Sequence, residues 1–257
     1  MTVSLDGHTV ASAVSGADGR YAIASIAAGT YDVRFSGALS DMRFKITITS
    51  FDAVVGFSSL DHAALSGSSV NSNVTAKIIS LPRFSDLDLT GSSAINGHGS
   101  SHADGIFGNA KSNILNGNAG NDILRGEGGN DRLTGGLGAD HLAGGAGRDI
   151  FDYNSIRETG RTAATRDEIT DFAHGIDRID LSTIDANASA AGNAAFHWLG
   201  RAAFDGERGA LHFQHINRPG TFNDQTIVSG DVNGDRVADF QIELDRLVSL
   251  TRVDFIL

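Results

Sequence analysis

The chain has no cysteine, so no disulfide framework can hold it in an oxidising environment, and bound metal is a constraint that could stand in. Proline is almost missing, with Pro82 and Pro219 alone. No stretch is long enough to span a membrane, and membrane insertion is not expected. The opening MTVSLDGHTV has no basic segment followed by an apolar run, so an N-terminal secretion signal is not expected and export would need another signal. Positive charge is scarce: 20 Lys and Arg stand against 31 acids, and the net charge of −11 argues against nucleic acid or an anionic membrane surface as partner. Catalytic signatures are missing too. There is no HExxH, no GxSxG, no Walker loop and no dinucleotide fingerprint. His212 and His215 stand three apart in what reads as a strand, where their side chains point to opposite faces and cannot chelate together. Asp205 and Glu207 form a carboxylate pair only within DGERG, which reads as a turn. The chain is therefore expected not to be an enzyme, and its length suits two or three small domains.

Glycine is plentiful and placed in register. Gly99, Gly108, Gly117, Gly126, Gly135 and Gly144 each head a nine-residue unit: GSSHADGIF, GNAKSNILN, GNAGNDILR, GEGGNDRLT, GGLGADHLA and GGAGRDIFD. The sixth position is Asp104, Asn113, Asp122, Asp131, Asp140 and Asp149. The eighth is Ile106, Leu115, Leu124, Leu133, Leu142 and Phe151. A period this short leaves few folds open. Positions one to six are expected to turn, where glycine permits backbone angles closed to other residues. Positions seven to nine are expected to form a short strand with the eighth residue inward. Two units then make one flattened coil of eighteen residues. This superposes Asp104 on Asp122, Asp122 on Asp140, Asn113 on Asp131 and Asp131 on Asp149. Carboxylates one strand apart repel unless a cation lies between them. Turn carbonyls supply further oxygens, and an all-oxygen site of flexible geometry suits calcium better than zinc or magnesium. A glycine-rich linker would not keep the eighth position apolar six times.

These units resemble the RTX nonapeptide GGxGxDxUx, the calcium-binding parallel β-roll of type I secreted bacterial proteins. The match is specific over 117–152 and weaker over 99–116, where His102 and Lys111 replace turn glycines and Asn113 replaces the acid. The first two units are expected to cap the roll with weaker sites. The resemblance implies about three to five Ca2+ ions. Their ligands would be the six sixth-position residues named above, with Gly117, Asn118, Gly120, Gly126, Glu127, Gly129, Gly135, Gly136, Gly138, Gly144, Gly145 and Gly147 from the turns.

The segment DIFDYNSIRETGRTAATRDEITDFAHGIDRIDLSTID (149–185) and the tail DVNGDRVADFQIELDRLVSLTRVDFIL (231–257) are similar to the serralysin C-terminal domain. This resemblance covers about 99–257 with the repeats and implies a β-sandwich packed on the roll. The residues agree: ITDF, RIDLS, ALHFQHI, QTIVSGDV, ADFQIEL and VDFIL read as short strands split by turns. Glu158 and Asp167 correspond to acids that bind a further calcium in that family; the alternative is a solvated loop, RETGRTAATRD, with unrelated charges. Asp231, Asn233, Asp235 and Asp239 resemble an EF-hand or dockerin loop. Arg236 takes the glycine position and Ile242 that of the bidentate glutamate, so a turn between strands is the competing reading. Asp254-Phe255-Ile256-Leu257 resembles the C-terminal signal of type I secretion substrates, and is equally a final strand. Serralysins carry HExxH, which this chain lacks, so the resemblance transfers the calcium and secretion module without the protease.

Residues 3–35 alternate apolar side chains around Asp18-Gly19 and Gly29 and resemble a Cna-B-like sandwich lacking its first strand, with Tyr21 and Tyr31 in its core. The chain is accordingly expected to be an incomplete copy or a fragment. FKITITSF and VTAKIISL read as strands within 36–90, and LDLTGSSAINGHG (87–99) as the lead-in to the roll. The expected fold is all-β: a β-rich region at 1–90 (Cna-B-like at 1–38), a β-roll at 91–155, and a C-terminal β-sandwich at 156–257 with the secretion signal. The expected function is a secreted, calcium-responsive, non-catalytic module passed through a type I exporter. A polysaccharide or cell-surface partner stays open. The alternative is the C-terminal part of a secreted hydrolase whose catalysis lies in 36–90 or upstream.

Overall fold

A computed structural model describes residues 87–257, apart from 90–93, 95, 188, 190–191 and 218–223, and before residue 87 the backbone of strands from Thr2 onward. Eighteen-residue superposition is the organising fact. Leu115 pairs with Leu133, Ile106 with Leu124, Leu124 with Leu142 and Leu133 with Phe151, all in parallel ladders. Alternate units therefore feed alternate sheets, and the two sheets face each other across the eighth-position side chains.

One sheet carries Gly97–His98, Ile114–Ala119, Arg132–Leu137, Ile150–Asp152, Arg178–Asp180 and Phe255–Ile256 in that order. The other carries Ser85–Leu89, Asp104–Phe107, Ile123–Arg125, His141–Ala143, Asp167–Ile169 and Phe240–Leu244. The core is two apolar rows, Leu87, Ile106, Leu124, Leu142, Ile169 and Ile242 against Leu115, Leu133, Phe151, Ile179 and Phe255, none more than 2% exposed. The ladder thus runs beyond the last repeat without a break. Leu142 pairs with Ile169 and Phe151 with Ile179, although the chain spacing has grown from 18 to 27 and 28 residues.

At the far end, Phe240–Leu244, Gln225–Asp231 and Ala210–Ile216 form an antiparallel meander, with His197–Gly200 added in parallel at its edge. Strands expected from RIDLS, ALHFQHI, QTIVSGDV, ADFQIEL and VDFIL are present within a residue or two, while that expected from ITDF lies earlier, at Asp167–Ile169, and shares only Ile169 with it; His197–Gly200 was not foreseen. Aromatic packing replaces the leucine row here. The ring of Trp198 stacks on Phe213 at 5.7 Å and meets Phe255 at 4.8 Å, while Phe196 meets Phe240 edge-on at 5.8 Å. Towards the N terminus, Ala76–Ser80 and Ser68–Ser72 add one parallel strand to each sheet. Antiparallel strands then extend the sheets to eleven and twelve strands. The side chains of Tyr21 and Tyr31 lie outside the described residues.

One expectation needs correction. Positions one to three were read as turn, yet in Ile114–Ala119 and Arg132–Leu137 they continue the strand, with Asn118 opposite Gly136 and Ala119 opposite Leu137. Superposed turns with matching backbone angles bond to each other like strands: the amide of Gly120 donates to the carbonyl of Leu137 at 2.8 Å. No helix among the described residues is long and apolar enough to cross a membrane.

Candidate metal centre

Stacking brings the sixth-position residues into two buried rows. In the first, the amide of Asp104 donates to Oδ1 of Asp122 at 2.8 Å, that of Asp122 to Asp140 at 2.8 Å, and that of Asp140 to Asp167 at 3.0 Å. In the second, Asn113 donates to Asp131 at 2.7 Å, Asp131 to Asp149 at 2.8 Å and Asp149 to Asp177 at 3.0 Å. Each row is sealed from water, none of its members exceeding 3% exposure. Asp177 is the row member that reading the repeats missed.

Stacking satisfies one oxygen of Asp122, Asp131, Asp140, Asp149 and Asp167 and leaves the other without a partner, whereas Asp177 has both satisfied, the second by the amide of Ala173. Oδ2 of Asp122, Asp131, Asp140, Asp149 and Asp167, and Oδ1 of Asp104, are buried without a hydrogen-bond partner. Leaving such a group unpaired costs about 1–3 kcal/mol, and more when it is charged. Backbone carbonyls crowd the same spots. A Cβ at Gly117 would sit 2.2 Å from Oδ2 of Asp122 and 2.5 Å from the carbonyl of Gly135. At Gly126 the corresponding atoms are Oδ2 of Asp131 and the carbonyl of Gly144, at the same two distances. Gly138, at φ +156°, leaves so little room that its Cβ would stand 1.7 Å from the carbonyl of Gly120. These glycines keep open a cradle of oxygens that any side chain would fill.

The electrostatics follow from burial. Removal from water first, and then a neighbouring acid, push two carboxyls up to about 7: Asp122, beside Asp140 and Asp104 of its own row, and Asp140, beside Glu158. Asp131 reaches about 7 in the same way and Asp167 about 9. Burial also raises Asp104, Asp149 and Asp177. Without a counter-charge, burial disfavours the ionised form of every acid in the rows. Unpaired carboxylate oxygens, converging carbonyls and no nitrogen or sulfur donor fit a hard divalent cation of the calcium class.

The row ends differ. Asp104 Oδ2 takes both the amide and the hydroxyl of Ser100, at 2.6 and 2.8 Å, and the amide of Asn109 donates to Asn113 at 2.8 Å. Side chains thus do at the N-terminal units part of what a cation would do further on. At the other end, Glu158 accepts the amide of Asn154 at 2.9 Å and lies close enough to Asp140 and Asp167 to raise both. The loop holding Glu158 packs on the strand Phe240–Leu244. Protein contacts order it: Thr159 donates to the carbonyl of Gln241 at 2.6 Å, and Arg166 pairs with Glu243.

Two other acidic places are of a different kind. The stretch from Asp231 to Asp239 closes on itself, Asp231 accepting the amides of Gly234 and Arg236 at 2.6 and 2.8 Å, with Arg236 at φ +68°. Among the described residues, His197, Asp205 and Glu207 bring ligand atoms within 4.8 Å of one another. Asp205 and Glu207 sit at the surface on the expected turn, where the amide of Glu207 donates to Asp205, and half-buried His197 reaches Asp205 from its strand. His212 packs on Phe204 and His215 contacts the carbonyl of Val248, well apart in role.

Two similar solved structures are solution structures of subunits of the Azotobacter vinelandii mannuronan C5-epimerase. The AlgE6R3 subunit is 28% identical, with 62% of this chain and 80% of that one covered and a TM-score of 0.44. The AlgE6R2 subunit is 26% identical, with 63% and 91% covered and a TM-score of 0.43. No curated protein matches the chain. Residues 27–257 match the family described as peptidase M10 serralysin C terminal. With that match spanning the roll, both acid rows and the aromatic end of the sheets, the chain belongs to the serralysin C-terminal family.

Proposed function

We propose that this chain is a calcium-binding module, non-catalytic in itself, that stays unfolded through export and folds on extracellular calcium. The observation that carries the reading is the double row of buried carboxylate oxygens without partners. Calcium supplies positive charge to these rows in place of protons. Asp104, Asn113, Asp122, Asp131, Asp140 and Asp149 hold it with the carbonyls of the turns, and Glu158, Asp167 and Asp177 complete the C-terminal ends. Six unpartnered carboxylate oxygens, shared between stacked neighbours, leave room for the several ions, about three to five, of this reading.

The energetics make the ion decisive. A site at ten times its dissociation constant adds about 1.4 kcal/mol, so three or four sites add about 4–6 kcal/mol. That is comparable to the whole stability of a small domain, roughly 5–15 kcal/mol. Extracellular calcium sites bind at ~10⁻⁴–10⁻³ M, far above resting cytosolic levels, so the rows stay empty until the chain is outside.

Export uses a type I exporter that reads Asp254–Leu257 before folding. The folded chain withdraws this segment: Asp254 is fully buried, taking the amide of Thr251 at 2.6 Å, and Phe255–Ile256 lies in the sheet beside Arg178–Asp180. Calcium titration of the full chain by calorimetry and far-UV circular dichroism tests the reading. A cooperative gain in β signal with a stoichiometry of several ions is expected; equal structure in excess chelator would sink it.

A second reading is favoured by the family match itself, which is to the C-terminal part of peptidases. In it, this module is the secretion and folding tail of a metalloprotease or polysaccharide-active enzyme. Protease and glycanase assays with and without calcium separate the two, and activity in this chain would overturn its non-catalytic role.

A further inference from the structure

The nine-residue count does not stop at Asp152. Continued, it makes YNSIRETGR (153–161) a seventh unit, with Tyr153 in the glycine position and Glu158 in the acid position. The structure keeps one local mark of the repeat there. Glu158 accepts the amide four residues earlier, from Asn154 at 2.9 Å, as Asp104 does from Ser100 and Asn113 from Asn109. The coil itself is displaced: Asp140 stacks on Asp167, nine residues beyond Glu158. Row one therefore ends on Asp167, with Glu158 as a further acid near both Asp140 and Asp167.

Tyr153 belongs to this end. It follows the strand Ile150–Asp152 of one sheet, its amide donating to the carbonyl of Asp180 at 3.0 Å. Its ring is 2% exposed within the core between the sheets. Its hydroxyl is buried and makes no hydrogen bond of ordinary geometry, and the same holds for Oδ2 of Asp140 and of Asp167. The hydroxyl interacts with the Asp167 side chain, with Asp140 and Glu158 also near it, and burial first, then these acids, raise the phenol above its usual range. Phenylalanine would fill this core position as well without burying an unpaired hydroxyl. The hydroxyl is accounted for if it serves the acids.

We propose that Tyr153 is a positioning residue of the cation site at the end of row one: its hydroxyl donates to the carboxylate of Asp167 and fixes that group towards an ion shared with Asp140 and Glu158. The inference rests on the calcium reading above. A carboxylate oxygen has lone pairs for both a donor and a cation, so the phenol orients the ligand without taking its place.

The test uses the full chain with calcium alone, followed by calorimetry, and with terbium, followed by luminescence excited through tyrosine. Tyr153→Phe should weaken one ion by about ten- to a hundredfold, the usual cost of losing a group that orients a ligand, and leave the others unchanged. It should also remove most tyrosine-excited terbium emission, while directly excited emission from the bound ion persists. Tyr21 and Tyr31 remain in the variant as the internal background. Glu158→Gln, a change on the loop, should weaken the same ion, and the double variant should lose less than the sum of the two. Tyr153→Phe binding every ion with unchanged affinity, or additive losses in the double variant, would overturn the proposal. Absence of calcium binding in the unaltered chain would instead overturn the calcium reading itself, so the two failures are distinct.

Discussion

Residues 117–152 and residues 196–257 share the same pair of sheets yet are held by different forces. In the repeats, one apolar side chain in nine turns inward, and Leu124, Leu133, Leu142 and Phe151 are the whole apolar core contribution of four units. Burying one such side chain gives about 1.5–3 kcal/mol. Ordering the nine backbones of its unit costs about 1–2 kcal/mol each. Ladder bonds alone do not close so wide a gap. In the C-terminal part, Trp198, Phe213, Phe255, Phe196 and Phe240 pack ring against ring, beside Leu211, Val228, Ile242 and Leu244. The same ladder is thus finished by apolar burial at one place, while the thin core of the repeats leaves a role for the ions proposed above.

The largest effect that would break this contrast is calcium removal from the full chain. Far-UV circular dichroism should lose most of the parallel β signal of the roll in excess chelator. Fluorescence of Trp198, the sole tryptophan, should change less and at lower free calcium. If both signals vanish at one midpoint, the two regions fold as a single unit and the contrast is void.

Next in size are the acids themselves. Asp131 lies in two stacked pairs, with Asn113 and with Asp149, so Asp131→Ala should forfeit two sites and about 2.8 kcal/mol of calcium-dependent stability at tenfold saturation. Asp104 enters one pair and already has Ser100 as a partner, so Asp104→Ala should cost about 1.4 kcal/mol or less. Thermal unfolding at fixed free calcium measures both, and equal losses would show that the rows are stacked in another register.

How much of this was legible depended on the period. Where the count of nine holds, residues eighteen apart must superpose, and the pairs from Asp104 to Asp149 follow from arithmetic. Past Asp149 the insertions of nine and ten residues break the count. Asp167 was then reached only through family resemblance and Asp177 not at all. A signal was present: Asp167-Glu168-Ile169 and Asp177-Arg178-Ile179 repeat the acid-x-apolar order of Asp149-Ile150-Phe151. It is too short to stand out once the glycines in front of it are gone. The strand His197–Gly200 was missed for a related reason. HWLG has no alternation to read, and its place is set by Ala210–Ile216 beside it. The joining of the N-terminal strands to both sheets is likewise a long-range pairing that no local pattern announces.

A smaller effect sharpens the contrast through pH. The carboxyls of Asp122, Asp131 and Asp140 are raised by burial from 3.8 to about 7 in the metal-free fold. A carboxyl raised in this way stabilises the fold below its unfolded pKa, and that stability is lost as pH rises through the folded value. Without calcium, the roll should therefore hold more β structure near pH 4 to 5 than near pH 8. With calcium the slope reverses, because ions displace protons and bind more tightly as pH rises through about 7. Circular dichroism in chelator across that range, and calcium midpoints at its two ends, measure both slopes. A metal-free roll that gains structure on going to alkaline pH would contradict the buried rows.

The smallest effect concerns the second position of the last four repeats, where the backbone is left-handed whatever the residue. Gly136 and Gly145 adopt φ +98° and +89° there, and Asn118 and Glu127 are held at +72° and +70°. Asparagine tolerates this region, whereas glutamate has no local hydrogen bond to offer and pays about 1–2 kcal/mol for it. Glu127→Gly should relieve that strain but free the unfolded chain as well, for a net gain of about 0.5–1 kcal/mol. Asn118→Gly should gain less. The side chain of Glu127 is exposed, so the change removes no core contact, and its carbonyl stays where the turn needs it. A rise in calcium-loaded melting temperature for Glu127→Gly, larger than for Asn118→Gly, is the expected result. No rise in either would mean that bound ions, rather than intrinsic backbone preference, set the energy of these turns, and the repeats would then depend on calcium even more than their thin core implies.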